Sequence, residues 1–369
     1  MIKDYFHSFV KKLLALDENT SRDLGNPKKI LIIRQHNQLG DLLASVSLFR
    51  AIKQTYPKAH LTVIVSPANC IAIHKNKLID RSFVFDKKMI YHPAYFFEFW
   101  KLLKDNYDVA IVPATVSISF TSNLISRFSN STIRIGVKEL NGMINPSAYL
   151  FDRQLVMDWR KHPDSNVSDF CLDIVREFGI STNDFSSEIS FDKSDEKNAI
   201  EFLDSIGYKK NSLLIGLHVG AGKPPNRWSL KKFIELINRL DSQYKAKFYL
   251  TGSRADKEEL DYVREHLNIP AGFFIDRTIP EVAALISRSD IFITNDTGIM
   301  HVAGATRTPQ VSIFGPTNPY NWAPVGKNKI FLWKSDLIDD ITVDDVFCSC
   351  QKVLNEEKLK MKDFLRTGN

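Results

Sequence analysis

Three loops in the sequence gather residues able to handle a proton and an anionic ligand. The first, Arg34-Gln35-His36-Asn37-Gln38-Leu39-Gly40-Asp41, carries a single carboxylate behind a glycine that would permit a tight turn. Asp41 fits two roles. It could cap the following helix, a preference worth about 1 kcal/mol. It could instead act as a general base, which typically contributes about 10²–10⁴ in rate. The second loop, His218-Val219-Gly220-Ala221-Gly222-Lys223, runs on to Arg227-Trp228. Gly220 and Gly222 bare the backbone while Lys223 and Arg227 add positive charge, a combination suited to a diphosphate. A dinucleotide fingerprint would need a third glycine opening a helix, and Pro224-Pro225 follow instead. The third loop is Asn295-Asp296-Thr297-Gly298-Ile299-Met300-His301. Asp296 and Thr297 fit a helix N-cap, Gly298 lets a ligand approach the backbone, and first-turn N–H groups can bind phosphate. His301, four residues after Thr297, either faces that ligand or is a core histidine satisfied by a backbone carbonyl.

These loops need rigid elements behind them. Lys29–Arg34 (KILIIR), Leu213–His218 and Ile291–Thr294 read as buried parallel strands, and open parallel sheets bind ligands at strand C-terminal ends. In the N-terminal half, Leu61–Val65 and Val109–Pro113 are further strands, and Asp80–Phe85 includes a short apolar segment. Helices are expected over Asp41–Tyr56, stopped by Pro57, and over Tyr95–Asn106. Phe96, Phe97, Phe99 and Trp100 in the second of these are expected in the core. A polar stretch, Ser181 to Ser187, then a charged helix from about Ser194, marks a change of domain. The pattern restarts with strands Lys247–Thr251, Gly272–Ile275 and Gln310–Phe314, and with helices Leu230–Gln243, from Lys257, Glu281–Ile286 and from near Asp296. Asp344–Phe364 reads as a charged helix. The expected organisation is α/β, with an N-terminal domain over 1–190, a second over 191–345 and a helical segment over 346–369. At the start, Phe6, Phe9, Val10, Leu13 and Leu14 share one helix face, which either docks on the first domain or lies on a membrane surface.

Length and composition agree with two soluble domains, since 369 residues exceed the usual single core. No apolar run approaches the roughly 18–20 residues of a membrane span. The N-terminus lacks a signal-peptide core, so a cytoplasmic location is expected. Cys70, Cys171, Cys348 and Cys350 form no Cys-x-x-Cys pair and no zinc-type spacing, so free thiols and no metal are expected. Residues 1–150 hold 20 Lys and Arg against 11 Asp and Glu, although the whole chain is only +6. This basic half predicts an anionic partner such as a phosphorylated glycolipid, with peripheral contact at the inner membrane a further expectation. Without a nucleic-acid motif or stacking platform, no nucleic-acid partner is expected.

In order, IIRQHNQLGDLL, IGLHVGAG, Arg227-Trp228, TNDTGIMHVAGATRTPQVSIFGPT and Trp322-Ala323-Pro324 resemble glycosyltransferase family 9, the ADP-heptose:lipopolysaccharide heptosyltransferases. The resemblance covers residues 29–326. It implies a GT-B fold, two Rossmann-like domains with a cleft between them. The nucleotide sugar, ADP-heptose as co-substrate, would bind the C-terminal domain and an anionic glycolipid acceptor the N-terminal one, without a metal. It implies Asp41 as catalytic base, with Arg34, His36 and Gly40 in the acceptor-side loop. Donor binding would fall to Gly220, Gly222, Lys223, Arg227, Asp296, Thr297, Gly298 and His301. Two positions depart from the pattern. Gly252-Ser253-Arg254 lacks a nucleoside-contacting glutamate found in some relatives, and Val325-Gly326-Lys327-Asn328 lacks a cysteine-rich stretch. Three rival readings are another nucleotide sugar or acceptor (capsule, O-antigen or protein glycan), a nucleotide-sugar 2-epimerase, and an inactive binding module. Binding alone would not require a base in the other half.

Overall fold

The structure, a computed structural model, describes residues 11–35, 38–210 and 212–367. The chain divides into two units, one ending at Phe185 and one starting at Ser186.

The first unit is built on a seven-stranded sheet. Its strands are β1 (Lys29–Arg34), β2 (His60–Val65), β3 (Arg81–Val84), β4 (Tyr107–Ile111), β5 (Ser131–Leu140), β6 (Met143–Ile144) and β7 (Arg153–Met157). The order is β3-β2-β1-β4-β5-β6, with β7 also on β5, and every pairing is parallel except β5 with β6. Ile30 and Ile32 pack into the core on one face, and Leu31 and Ile33 into the core on the other. That two-sided burial is why β1 reads as an unbroken apolar run. The second unit has six parallel strands: β8 (Leu214–His218), β9 (Lys247–Gly252), β10 (Ala271–Ile275), β11 (Ile291–Asn295), β12 (Gln310–Ile313) and β13 (Lys329–Leu332). Their order is β10-β9-β8-β11-β12-β13. Each sheet therefore reverses its winding once, between β1 and β4 and between β8 and β11. A ligand crevice is expected where the chain leaves those strands. All three loops singled out above follow strands at these two points.

Several expectations need correcting. The helix expected over Asp41–Tyr56 starts earlier and is two helices, Leu39–Ala44 and Val46–Thr55. At the break, the Ser45 hydroxyl donates to the Asp41 carbonyl (2.8 Å), a side-chain bond that competes with regular helix. The helix Phe120–Phe128 and the strands β5 and β7 lie in a stretch left without elements above. In β5, Ile133, Ile135 and Val137 alternate with Arg134, Gly136 and Lys138, the period-two pattern of a strand, carried by only three apolar positions. In the helix Pro93–Leu103, Phe99, Leu102 and Leu103 are buried, whereas Phe96, Phe97 and Trp100 are exposed. One face of a helix on a sheet can reach the core, and the 3.6-residue period sends these three aromatics outward. The helix Val343–Thr367 is no separate segment, for Val346, Phe347, Cys350, Val353 and Leu354 pack into the second unit's core.

Near the N-terminus, residues 11–14 are helical and Leu13 is exposed. The following chain lies on the first unit, with Leu16 N donating to Tyr149 O (2.8 Å) and Asn19 N to Asp152 O (2.7 Å). Phe6, Phe9 and Val10 lie outside the described residues.

The facing of the aromatic helix has a direct check by urea unfolding. Phe99→Ala is expected to cost about 3–5 kcal/mol, while Phe97→Ser should stay within about 0.5 kcal/mol of the wild type.

Candidate active site

In the first unit, β1 ends on Arg34, whose side chain is buried. Its Nε donates to Ser45 Oγ (3.1 Å) and its Nη1 to the Pro113 carbonyl (3.3 Å). Its Nη2 donates to Thr115 Oγ1 (3.0 Å) and to the Asp41 carbonyl (3.3 Å). The guanidinium thus ties the end of β1 to the loop after β4 and to the helix bearing Asp41. Four of its five donors are engaged within the protein, so it positions the loop. His36 lies outside the described residues.

Asp41 is not the helix cap. Gln38 holds that position without a side-chain cap bond, and Asp41 is the third residue of the helix. Gly40, placed in a tight turn by sequence reasoning, is the second helical residue. The Asp41 carboxylate is 4% exposed. Its Oδ2 stands 3.8 Å from Arg34 Nη2, and its Oδ1 has no hydrogen-bond partner among the described residues. Burial raises the pKa of this carboxyl above its ordinary value, with the Arg34 charge pulling the other way. A desolvated carboxylate with one unsatisfied oxygen holds a proton more firmly than an exposed one, as a general base requires.

Beside this loop, Gln35 is buried and its Nε2 donates to Ser119 Oγ (2.9 Å) and Ser122 Oγ (3.2 Å). A crevice of about 580 Å³ opens there, lined by Gln35, Ser66, Phe85, Lys87, Lys88 and Ser119 among others. It lies where the chain leaves β1, β2 and β3.

In the second unit, the loops after β8 and β11 are joined by Asn295, the last residue of β11 and fully buried. Its Nδ2 donates to Val219 O (2.8 Å) and Gly220 O (3.3 Å), and its Oδ1 accepts from Trp228 N (3.2 Å). Trp228 is itself buried, with Nε1 on Ile341 O (2.9 Å). Gly220 has a packing reason, since a Cβ there would overlap the Asp256 carboxylate, whereas one at Gly222 would meet nothing within 4 Å. Lys223 is exposed. Arg227 is half-buried, with Nε donating to Ala221 O (2.7 Å) and Nη1 paired with Glu259. Two of its five donors are therefore engaged within the loop.

Asp296 is held by partners that sequence reasoning missed. Asn226 Nδ2 donates to Asp296 Oδ2 (2.8 Å) and also lies 3.4 Å from Thr317 Oγ1. Burial raises the Asp296 pKa, opposed by its hydrogen bond with Thr317 and by the Lys223 charge. The signal available was the Pro224-Pro225 pair, which forms a 3₁₀ turn ending on Asn226 and fixes where its side chain begins. Thr297 occupies the N-cap position of the helix Gly298–Gly304, and its hydroxyl makes no cap bond. At the other end of that helix, Lys329 Nζ donates to the carbonyls of Ala303 (2.9 Å), Thr306 (2.9 Å) and Thr308 (2.6 Å). His301 is half-buried, and its ring makes no hydrogen bond among the described residues, so the carbonyl-satisfied core reading fails. Burial pushes its pKa down to about 4, which leaves a neutral imidazole at physiological pH. Among the described residues, no cluster of His, Cys, Asp and Glu has the arrangement of a metal site.

Comparison with known proteins matches residues 96–344 to the model of "Glycosyltransferase family 9 (heptosyltransferase)". Lipopolysaccharide heptosyltransferase 3 of Escherichia coli is 25% identical over 318 residues, covering 80% of this chain and 86% of that protein. Among solved structures, a family 9 glycosyl transferase from Veillonella parvula superposes with a TM-score of 0.75. It is 19% identical, over 92% of this chain and all of the other. The E. coli ADP-heptose LPS heptosyltransferase II gives 0.72 at 21% identity, over 89% and 99% of the two chains.

His301 makes a testable contribution to stability. Its folded pKa of about 4 lies below the ordinary 6.5, so the unfolded chain takes up the proton first. Stability should fall as pH drops from about 6.5 to about 4, by at most about 3 kcal/mol from this residue. Urea midpoints of His301→Gln across that range should fall less steeply than those of the wild type.

Proposed function

The chain belongs to glycosyltransferase family 9, and from that membership we propose that it transfers heptose from ADP-heptose, with inversion, onto a lipopolysaccharide-core-type glycolipid. The observation that carries the mechanism is the Asp41 carboxylate, buried, raised in pKa and unsatisfied at Oδ1. Asp41 takes the proton from an acceptor hydroxyl as that oxygen attacks the anomeric carbon. The new glycosidic C–O bond forms while the bond from the sugar to the diphosphate breaks, and ADP leaves with the electron pair. Charge developing on the leaving phosphate is met by the first N–H groups of the helix Gly298–Gly304, by Lys223 and by the remaining donors of Arg227. The neutral His301 supplies a hydrogen bond without a competing charge. Asp296, held by Asn226 and Thr317, fixes the entry to that helix.

On the acceptor side, the crevice is lined by Gln35, Ser66 and Ser119 with the exposed Lys87 and Lys88 and one carboxylate, Asp86, so two cations against one anion favour a phosphorylated sugar. Such an acceptor would be met at the cytoplasmic face of the inner membrane. No described helix is long and apolar enough to cross a membrane.

Two experiments test this reading. Asp41→Asn keeps the shape of the side chain, and transfer should fall by about 10²–10⁴. The same change removes a charge that burial disfavours, so the melting temperature at neutral pH should hold or rise. Transfer at the wild-type rate would exclude Asp41 as the base. For the donor, ADP-heptose at a hundredfold excess over its Kd should stabilise the protein by about 2.7 kcal/mol. UDP- and GDP-linked hexoses at the same concentration should stabilise it less, and a stronger shift with a UDP sugar would overturn the heptose assignment.

A further inference from the structure

The outward face of the helix Pro93–Leu103 and the segment before it leave a group of large apolar side chains uncovered in the first unit. Tyr91 is 90% exposed, Phe97 68%, Phe96 46%, and Met89 and Trp100 41% each. Phe96 stacks on Trp100, with ring centroids 6.2 Å apart and planes at 17°. Lys104 Nζ lies 4.4 Å from the Trp100 ring centre and 3.4 Å from the Phe128 carbonyl, and Phe128 is exposed as well. Soluble proteins rarely leave such an apolar patch without a partner.

The charges around the patch say which partner. Lys87, Lys88, Lys101 and Lys104 are all exposed around it, against Glu98 and Asp86, whose Oδ1 accepts the Lys88 amide. Lys104 lies on the Trp100 ring inside the patch, and centres of protein–protein interfaces are depleted in lysine. At a bilayer surface the combination is expected. Tyr and Trp favour the headgroup level, and lysine stems lie along apolar surface with the ammonium among phosphates, each adding attraction to anionic lipid.

We propose that this face, Met89 to Lys104, docks the first unit on an anionic bilayer. The helix lies in the interface plane, with Phe96, Phe97 and Trp100 at the boundary between headgroups and acyl chains and Lys101 and Lys104 on lipid phosphates. The docking face runs directly into the crevice, because Phe85, Lys87 and Lys88 line that crevice and precede Met89 in the chain. A lipid-anchored acceptor would then reach the crevice without leaving the surface. This last step rests on the function proposed above, while the docking itself does not.

The test is sedimentation of the full chain with phosphatidylethanolamine vesicles with and without phosphatidylglycerol, in the absence of donor and acceptor. The wild type should bind the anionic vesicles and be released by salt. Replacing both Phe97 and Trp100 by serine, or both Lys101 and Lys104 by glutamate, should weaken that binding at least about tenfold. Transfer to a delipidated, soluble acceptor should be unchanged in both variants. Brominated phosphatidylglycerol should quench the tryptophan fluorescence of the wild type, and less so that of Trp100→Phe, which keeps the test open if a serine variant misfolds. Failure of the wild type to bind anionic vesicles, or wild-type binding by both double variants, overturns the proposal. So does binding that is lost on deleting residues 1–10 and kept in the helix variants. A wild-type dimer that these substitutions turn into a monomer would make the face a self-association surface and overturn it as well. Vesicle binding without any heptose transfer would instead leave the docking intact and remove the function proposed above.

Discussion

Where a parallel sheet reverses its winding, the chain leaves adjacent strands towards opposite faces, and nothing in the sheet itself joins the two departing loops. Each unit spans that gap with buried polar side chains, and in each the last residue of a strand makes the central link. In the first, Arg34 at the end of β1 reaches Pro113 and Thr115 after β4. In the second, Asn295 at the end of β11 reaches Val219 and Gly220 after β8. The two bridges differ in kind, and the chemistry of each site follows from that difference. A charged bridge in the first unit makes it possible to bury a carboxylate nearby. A neutral bridge in the second leaves the loops free to receive an anion, without a buried cation fixed at their root.

The first bridge explains how Asp41 stays both buried and basic. A carboxylate moved out of water without compensation costs several kcal/mol, and Arg34 supplies the nearest compensating charge. Had its guanidinium formed a bidentate pair with the carboxylate, the pKa would have fallen and the proton acceptor would have been quenched. Its donors go instead to Ser45, Thr115 and two carbonyls, one of them that of Asp41 itself. The charge remains at 3.8 Å, enough to tolerate the carboxylate and too far to hydrogen-bond it well. In the second unit, Asp296 is restrained by the neutral donors Asn226 and Thr317, and Arg227 is set against Glu259. Positive charge is present there but partly countered, as suits a ligand that must leave after reaction.

Much of this was legible in the sequence because the relevant signals are local. Buried parallel strands read as apolar runs, and glycine loops after them mark the ends where ligands bind, so β1, β8, β9, β11 and β12 could be placed within a residue or two. Asp41, Gly222 and Asp296 could be placed by type and position in the segments that follow β1, β8 and β11, where the function proposed above puts them to use. What could not be read was set by contacts distant in sequence. Nothing near Arg34 says that its donors are consumed by Pro113 and Thr115, some eighty residues on. Nothing near Asp296 names Asn226, seventy residues earlier. Of the two roles open to Asp41, the helix cap is excluded because the helix begins at Leu39 with Gln38 in the cap position.

The aromatic helix shows the same limit from the other side. Four large rings within five residues suggest a core segment by composition alone, and hydrophobicity summed over the window points the same way. Period decides otherwise. Positions 99, 102 and 103 lie on one face, and 96, 97 and 100 on another, so a helix resting on one sheet must leave one set outside. Burying Phe99, Leu102 and Leu103 fixes the choice, because they fill the core against Ile33, Ile64 and Phe85. The exposed rings are then a consequence of stable packing on the opposite face. Beyond the contact of Phe96 and Lys104 with Trp100, aromatic residues at those positions add little to the fold, and a surface that needs them is the simplest physical account of why they stand there.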